Sequence, residues 1–152
     1  MKKNILLIYH TQSGNTKMIS DAIAECLKDE SDIILAYKKA TETLFEDILQ
    51  ADGIIICSPE YFGYMCGAIK DFFDRTYSLA RAVELNKPYA LIVCCENDGT
   101  GTERSIDTIA RGYILKKALD TLIIKEKNIA SQLSDARELG IGFATGIKLG
   151  IF

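Results

Sequence analysis

Five short apolar runs punctuate the chain, and between them apolar residues recur at helical spacing. Ile5 to Tyr9, Ile33 to Tyr37, Ile54 to Cys57, Tyr89 to Cys95 and Leu122 to Ile124 are rich in β-branched residues and carry almost no polar positions. Such runs predict strands buried on both faces, the condition of a parallel sheet covered by helices. After the first run, Met18, Ile19, Ala22, Ile23, Cys26 and Leu27 set one face of a helix from Asn15 to Lys28. A short helix carrying Leu44, Phe45, Ile48 and Leu49 follows the second run, and a helix with Ile69, Phe72, Phe73 and Tyr77 follows the third. Thr100-Gly101-Thr102-Glu103 has the form of a capping box and opens a helix bearing Ile106, Ile109, Ala110 and Ile114. Ser134-Asp135 is expected to cap the last helix, with its ridge at Leu139, Phe143, Ile147 and Ile151.

Strands alternating with helices in this way predict an α/β fold with right-handed crossovers. Only two prolines and no low-complexity stretch interrupt the 152 residues, so residues 1–152 are expected to form a single domain. Ligands of such sheets sit beyond the carboxyl ends of the strands, where strand order reverses. This selects the loops His10–Thr16, Ser58–Gly67 and Glu96–Gly101.

Composition narrows the partners. A net charge of −3 gives no reason to expect nucleic acid. No apolar run is long enough for membrane insertion, and Asn4 to Tyr9 is too short for the core of a secretory signal. The five cysteines, Cys26, Cys57, Cys66, Cys94 and Cys95, form no C-x-x-C pair and have no metal spacing with His10, the single histidine. Free thiols of this kind suit a cytoplasmic protein.

The first loop concentrates the candidate chemistry. Tyr9-His10-Thr11-Gln12-Ser13-Gly14-Asn15-Thr16 joins a buried strand directly to a helix through hydroxyls, amides and one glycine, with no Lys or Arg before Lys17. Backbone N–H groups and the positive end of the helix dipole converge there, so an anion is the natural occupant. Three spaced glycines of a dinucleotide fingerprint are absent, as are Gly-Lys-Ser/Thr, a cysteine nucleophile and the acidic residues of a receiver domain. The residues alone leave two readings: a phosphate held without metal or hydrolysis, or an ordinary helix start capped by Ser13.

Thr11-Gln12-Ser13-Gly14-Asn15-Thr16 resembles the phosphate loop of the flavodoxin family. Ser58-Pro59-Glu60-Tyr61-Phe62-Gly63-Tyr64-Met65, with Gly67, Lys70 and Phe72, is similar to that family's second flavin loop. The match is nearest to the branch of NAD(P)H-dependent FMN reductases and flavodoxin-like quinone oxidoreductases. The resemblance spans essentially the whole chain. It implies a flavodoxin-like three-layer sandwich, a five-stranded parallel sheet in order 2-1-3-4-5, and FMN as cofactor. It also implies that Thr11, Gln12, Ser13, Gly14, Asn15 and Thr16 wrap the FMN phosphate. Ser58, Pro59, Glu60, Tyr61, Phe62 and Gly63 would lie along the ring, with Cys95, Glu96, Asn97, Asp98 and Gly99 at its polar edge. The implied activity is oxidoreduction, with NAD(P)H as electron donor and a quinone, flavin or other small acceptor. A flavodoxin-type electron carrier serving a redox protein partner, and a flavin-binding sensor, are the alternatives. No side chain stands out as acid, base or nucleophile. The chain departs from carrier flavodoxins in lacking Trp and in its mild acidity, and its third loop lacks the glycine-rich pattern of the quinone oxidoreductases.

The remaining singular residues each have two readings. His10 either contributes only its backbone, or hydrogen-bonds phosphate or transfers a proton near the flavin. Cys94 and Cys95 point to opposite faces of their strand, as free buried thiols or as a vicinal redox pair. Gly142, Gly146 and Gly150 make a small-residue stripe, expected to allow close packing inside the protein or across a homodimer. Lys70 with Asp74 and Asp71 with Arg75 are expected as i, i+4 ion pairs on a solvated helix face.

Overall fold

A computed structural model describes residues 1–152. In chain order the elements are β1 (Lys3–Tyr9), α1 (Asn15–Lys28), β2 (Ile33–Lys39), α2 (Phe45–Gln50), β3 (Gly53–Tyr61), β4 (Tyr64–Met65), α3 (Gly67–Val83), β5 (Lys87–Cys95), α4 (Thr100–Gly112), β6 (Leu115–Lys117), β7 (Leu122–Lys125) and α5 (Ile129–Leu149). Single 3₁₀ turns at Ala40–Glu42 and Glu126–Asn128 lead out of β2 and β7.

The long strands pair in parallel in the order β2-β1-β3-β5. The fifth position is shared, with β6 pairing to Lys87–Tyr89 and β7 to Ile92–Cys95 of the same strand β5. Taken as one broken strand, β6 and β7 complete the expected 2-1-3-4-5 arrangement. β6 itself is not visible in the sequence pattern, because Leu115-Lys116-Lys117 offers one apolar residue to a position at the sheet edge.

Side-chain alternation along the strands fills two cores, one on each face of the sheet. Leu6, Ile8, Ile54, Ile56, Leu91 and Val93 point to the side where α3 and α4 bring Phe72, Phe73, Ile106 and Tyr113. Ile5, Leu7, Ile55, Cys57, Ala90 and Ile92 point to the side of α1 and α5, against Ile19, Ile23, Phe143 and Ile147. Cys94 and Cys95 divide between these cores as the alternation requires, and all five cysteines are free.

Several expected helix ends move. Gly99, in the left-handed region, precedes α4 rather than Thr100. Asp98 replaces the expected capping threonine by accepting hydrogen bonds from the Thr100 N–H at 2.8 Å and hydroxyl at 2.7 Å. The helix stops at Gly112, and Ile114 leaves it with φ 60°. α5 begins at Ile129, so Ser134 and Asp135 are interior. The 3₁₀ turn runs straight into the helix, and buried Ile129 anchors its start. Ile151 lies beyond the helix and is exposed.

The glycine stripe also separates into unlike parts. A Cβ on Gly142 would meet nothing, Gly150 is the left-handed residue that ends α5, and Gly146 lies beneath the ring of Phe152. The close approach of α5 to α1 falls instead at Gly140, where a Cβ would stand 2.8 Å from Ile23 Cγ2. On α3 the expected pairs form, Lys70 to Asp74 and Arg75 to Asp71, both at 2.7 Å. Arg75 does more than decorate the surface: it also donates to the carbonyls of Ala40 at 3.0 Å and Thr43 at 3.2 Å.

Candidate functional site

The carboxyl ends of β1, β3 and β5 lie side by side, and the three loops that leave them surround one opening. Along the first loop, the Gly14 N–H donates to Thr11 Oγ1 at 3.0 Å, and Gly14 turns into α1 at φ 96°. No side chain caps α1 and its first turn holds no acidic residue. Ser13 is exposed and does not cap, which removes the ordinary-cap reading of the loop. The opening amides of α1 thus face outward without an acceptor from the helix itself. Thr16 is buried where the loop enters α1.

The second loop differs from its expected form. β3 does not end at Cys57 but runs on through Ser58, Pro59, Glu60 and Tyr61 and folds back as a two-residue hairpin onto β4. Both central residues have positive φ, Phe62 at 54° and Gly63 at 68°, as type I′ hairpins require. The first of these positions normally takes Asn, Asp or Gly. A phenylalanine there costs about 1–2 kcal/mol of backbone strain, and its side chain is fully exposed at the tip.

Long-range braces hold the hairpin. The Met65 N–H donates to Ser105 Oγ of α4 at 3.2 Å. The Gly63 carbonyl lies so close to Gly101 that a Cβ there would stand 1.9 Å from its oxygen. Glu60 reaches α4 as well, accepting from the Gly99 N–H and from Thr102 Oγ1, each at 3.3 Å. Its carboxylate therefore sits at the positive end of the α4 dipole. Ser105, and the bracing roles of Gly101 and Thr102, escaped sequence reasoning, since nothing local marks a helical residue as the seat of a distant hairpin.

Between the loops lies a cavity of about 500 Å³ lined by Gln12, Glu60, Tyr61, Phe62, Gly63, Glu96 and Asn97. It draws on all three predicted loops. Tyr61 meets His10 edge-on, with ring centroids 6.3 Å apart, so the first two loops touch across its rim. Burial lowers the His10 pKa, which leaves the ring neutral at pH 7. Burial raises the Tyr61 phenol, and it is likewise neutral.

Other predicted residues lie behind the cavity wall. Ser58 is fully buried and donates to the Pro59 carbonyl at 2.8 Å. Cys95 packs beneath Gly99, whose Cβ would lie 3.3 Å from its sulfur, and burial lifts its thiol to about 11. Cys94 is lifted to about 11 for the same reason, which leaves both thiols protonated. The Asp98 carboxylate is turned to Thr100 rather than to the opening, and the Thr100 hydrogen bonds lower its pKa.

Comparison with known proteins adds names to this geometry. Residues 15–117 match the family model described as NADPH-dependent FMN reductase. Over 70 residues, 46% of this chain and 38% of the relative, the sequence is 36% identical to a flavodoxin from Aquifex aeolicus. Over 100 residues it is 26% identical to an NAD(P)H dehydrogenase (quinone) of Geobacter sulfurreducens, covering 50% of this chain and 49% of that one. The matched segments span about half or less of the length of these curated relatives. A flavodoxin structure from the domain Archaea superposes with a TM-score of 0.80 at 19% identity, covering 95% of this chain and 99% of that one. That likeness shows the flavodoxin-like fold.

Proposed function

The chain belongs to the NADPH-dependent FMN reductase family, and from that premise we propose that it is an FMN-binding oxidoreductase. NADPH or NADH would supply electrons to the bound flavin, and a quinone, free flavin or other small acceptor would remove them. The observation that carries this reading is the cavity shared by all three loops beside an uncapped helix start. Its volume of about 500 Å³ lies within the usual range for cofactor sites, and Tyr61 and Phe62 offer aromatic faces to a flat ring among polar Gln12, Glu60, Glu96 and Asn97.

The residues present fit FMN from end to end. Thr11 to Thr16 would hold the phosphate by hydroxyls and N–H groups at the α1 terminus, a mode that needs neither metal nor lysine. Lys17, in the first turn of α1, is already paired with Asp21 at 2.6 Å. Ser58 and Pro59 would contribute backbone, while Tyr61, Phe62 and Gly63 would cover the ring and keep water from its face. Glu96 and Asn97 would meet its polar edge, with Cys95, Asp98 and Gly99 fixing that turn from behind. Bound FMN supplies hydride acceptance and electron transfer; the chain positions and tunes it. The Glu60 charge would disfavour extra negative charge on the ring, an effect moderated by the α4 dipole it already faces.

The test begins with the visible spectrum of the purified protein and a titration with FMN, followed by NADPH and NADH oxidation with benzoquinone or free FMN as acceptor. Flavin absorbance and turnover are expected. A protein that stays colourless after FMN addition refutes the reading. The 36% identity to a flavodoxin favours a second one, an electron carrier, which FMN binding without turnover on either nicotinamide would establish.

A further inference from the structure

On the other side of the Phe62–Gly63 turn lies a second cavity, of about 340 Å³, which shares Gly63 with the first. Tyr64 forms one wall, Gly101 and Ile109 the floor, and Arg104, Ser105 and Thr108 supply its polar groups. Two of those three are already committed. Ser105 Oγ donates to the Thr102 carbonyl at 2.9 Å and accepts from Met65, and Thr108 Oγ1 donates to the Arg104 carbonyl at 2.8 Å.

Arg104 is different. Its guanidinium enters none of the eight ion pairs of the protein and none of its side-chain hydrogen bonds. The acids of α4 do not oppose it. Glu103 and Asp107 both turn to Lys117, at 2.8 and 2.7 Å, and Asp107 also accepts from Tyr89. Helix α4 is thereby divided into a neutralised acidic face and a basic one, with Arg111 following Arg104 by seven residues along the same side. No acidic residue lines the cavity. Its free side-chain donors are thus the planar fork of Arg104 and the hydroxyl of Tyr64, and the fork has the geometry that matches a phosphate monoester.

The FMN phosphate cannot be that ligand, because its place at the head of α1 lies across the first cavity from the hairpin. We propose that this second cavity receives the 2′-phosphate of NADPH and that Arg104 is the residue that selects NADPH over NADH. The inference rests on the oxidoreductase reading above and assigns the donor-recognition end of the same site. The hairpin then separates two tasks: the ring on one side of Gly63, the nucleotide's distal phosphate on the other.

The experiment compares the wild type with Arg104→Gln in three measurements. In steady state, KM for NADPH is expected to rise at least tenfold while kcat, KM for NADH and the FMN dissociation constant stay within twofold, and an unchanged NADPH-to-NADH ratio overturns the proposal. By calorimetry, wild type is expected to bind 2′,5′-ADP at least tenfold more tightly than 5′-AMP, and the variant to lose that preference. Absence of 2′,5′-ADP binding to the wild type overturns the proposal even where turnover is not observed. If 2′,5′-ADP binds through Arg104 but FMN does not bind at all, the phosphate site stands and the flavin reading alone falls.

Discussion

Replacing Gly101 by alanine puts a methyl group 1.9 Å from the Gly63 carbonyl oxygen and 2.8 Å from its carbon. Both are backbone atoms, so no rotamer change relieves the contact. Restoring an ordinary separation of about 3.4 Å moves the turn by about 1.5 Å, away from α4 and across the mouth of the larger cavity. Displacements of about 1 Å at a positioned site cost on the order of a hundredfold. FMN affinity of the variant is therefore expected to fall between tenfold and a hundredfold, or about 1.4–2.8 kcal/mol. The effect on folding is separate, because alanine is favoured over glycine inside a helix by up to about 1 kcal/mol and the exposed hairpin tip is free to yield. Gly112→Ala is the matched control on the same helix, since its Cβ meets only Tyr77 at 3.7 Å. Fluorescence titration with FMN, alongside thermal unfolding of each variant, separates the two terms. If Gly101→Ala melts like the wild type and binds FMN equally well, the hairpin is not seated on α4 as described.

Phe62→Gly removes the left-handed strain and is expected to raise stability by about 1 kcal/mol in thermal unfolding while weakening FMN binding, because the exposed ring no longer covers the site. Glu60→Gln is expected to raise the flavin reduction potential in a spectroelectrochemical titration, and an unchanged or lower value refutes its placement beside the ring. Lys117 holds the Glu103 carboxyl below its ordinary pKa, so their pairing contributes fully above about pH 4.3 and is lost as pH falls through the lower folded value. After solvent screening it amounts to about 0.5 kcal/mol. Glu103→Gln should therefore melt about 1–2 °C below wild type at pH 7, with the gap closing towards pH 3. Cys57, Cys66, Cys94 and Cys95 are buried with thiols raised by burial. At pH 8 the native protein should expose at most Cys26 to Ellman's reagent, with all five cysteines reacting after denaturation; rapid reaction of two or more in the native state contradicts the packing.

The sheet was legible because strands buried on both faces must be apolar throughout. Ile54-Ile55-Ile56-Cys57 and Tyr89 to Cys95 announce themselves without reference to the rest of the chain. The first loop stood out for a different reason: the strand, the turn and the helix it joins are adjacent in sequence. What stayed hidden depends on residues far apart. The hairpin at Phe62-Gly63 lacks the usual Asn-Gly signal and is held instead by Gly101 and Ser105, some forty positions away. The start of α4 was misplaced by one residue because Asp98 takes the capping role and the Glu60 carboxylate arrives from another loop. The stripe of Gly142, Gly146 and Gly150 shared a spacing without sharing a role, since packing against Ile23 is decided by the rotation of α5, which selects Gly140. Arg104 looked like any surface charge until the partners of its neighbours were known.

The broken fifth strand bears on how the sheet edge meets other chains. An unbroken strand at that edge would offer a row of open N–H and C=O groups to a second molecule, the usual template for intermolecular β pairing. Here β6 is three residues long with two lysines, and Ala118 to Thr121 interrupt the edge before β7 resumes for four residues. The Ala118 N–H turns inward to the Tyr89 carbonyl at 2.9 Å instead of continuing the outer row. Neither fragment is long enough to register a foreign strand, and the lysines repel a second copy of the same edge. At this edge the interruption therefore removes the continuous row of open backbone groups that intermolecular pairing needs.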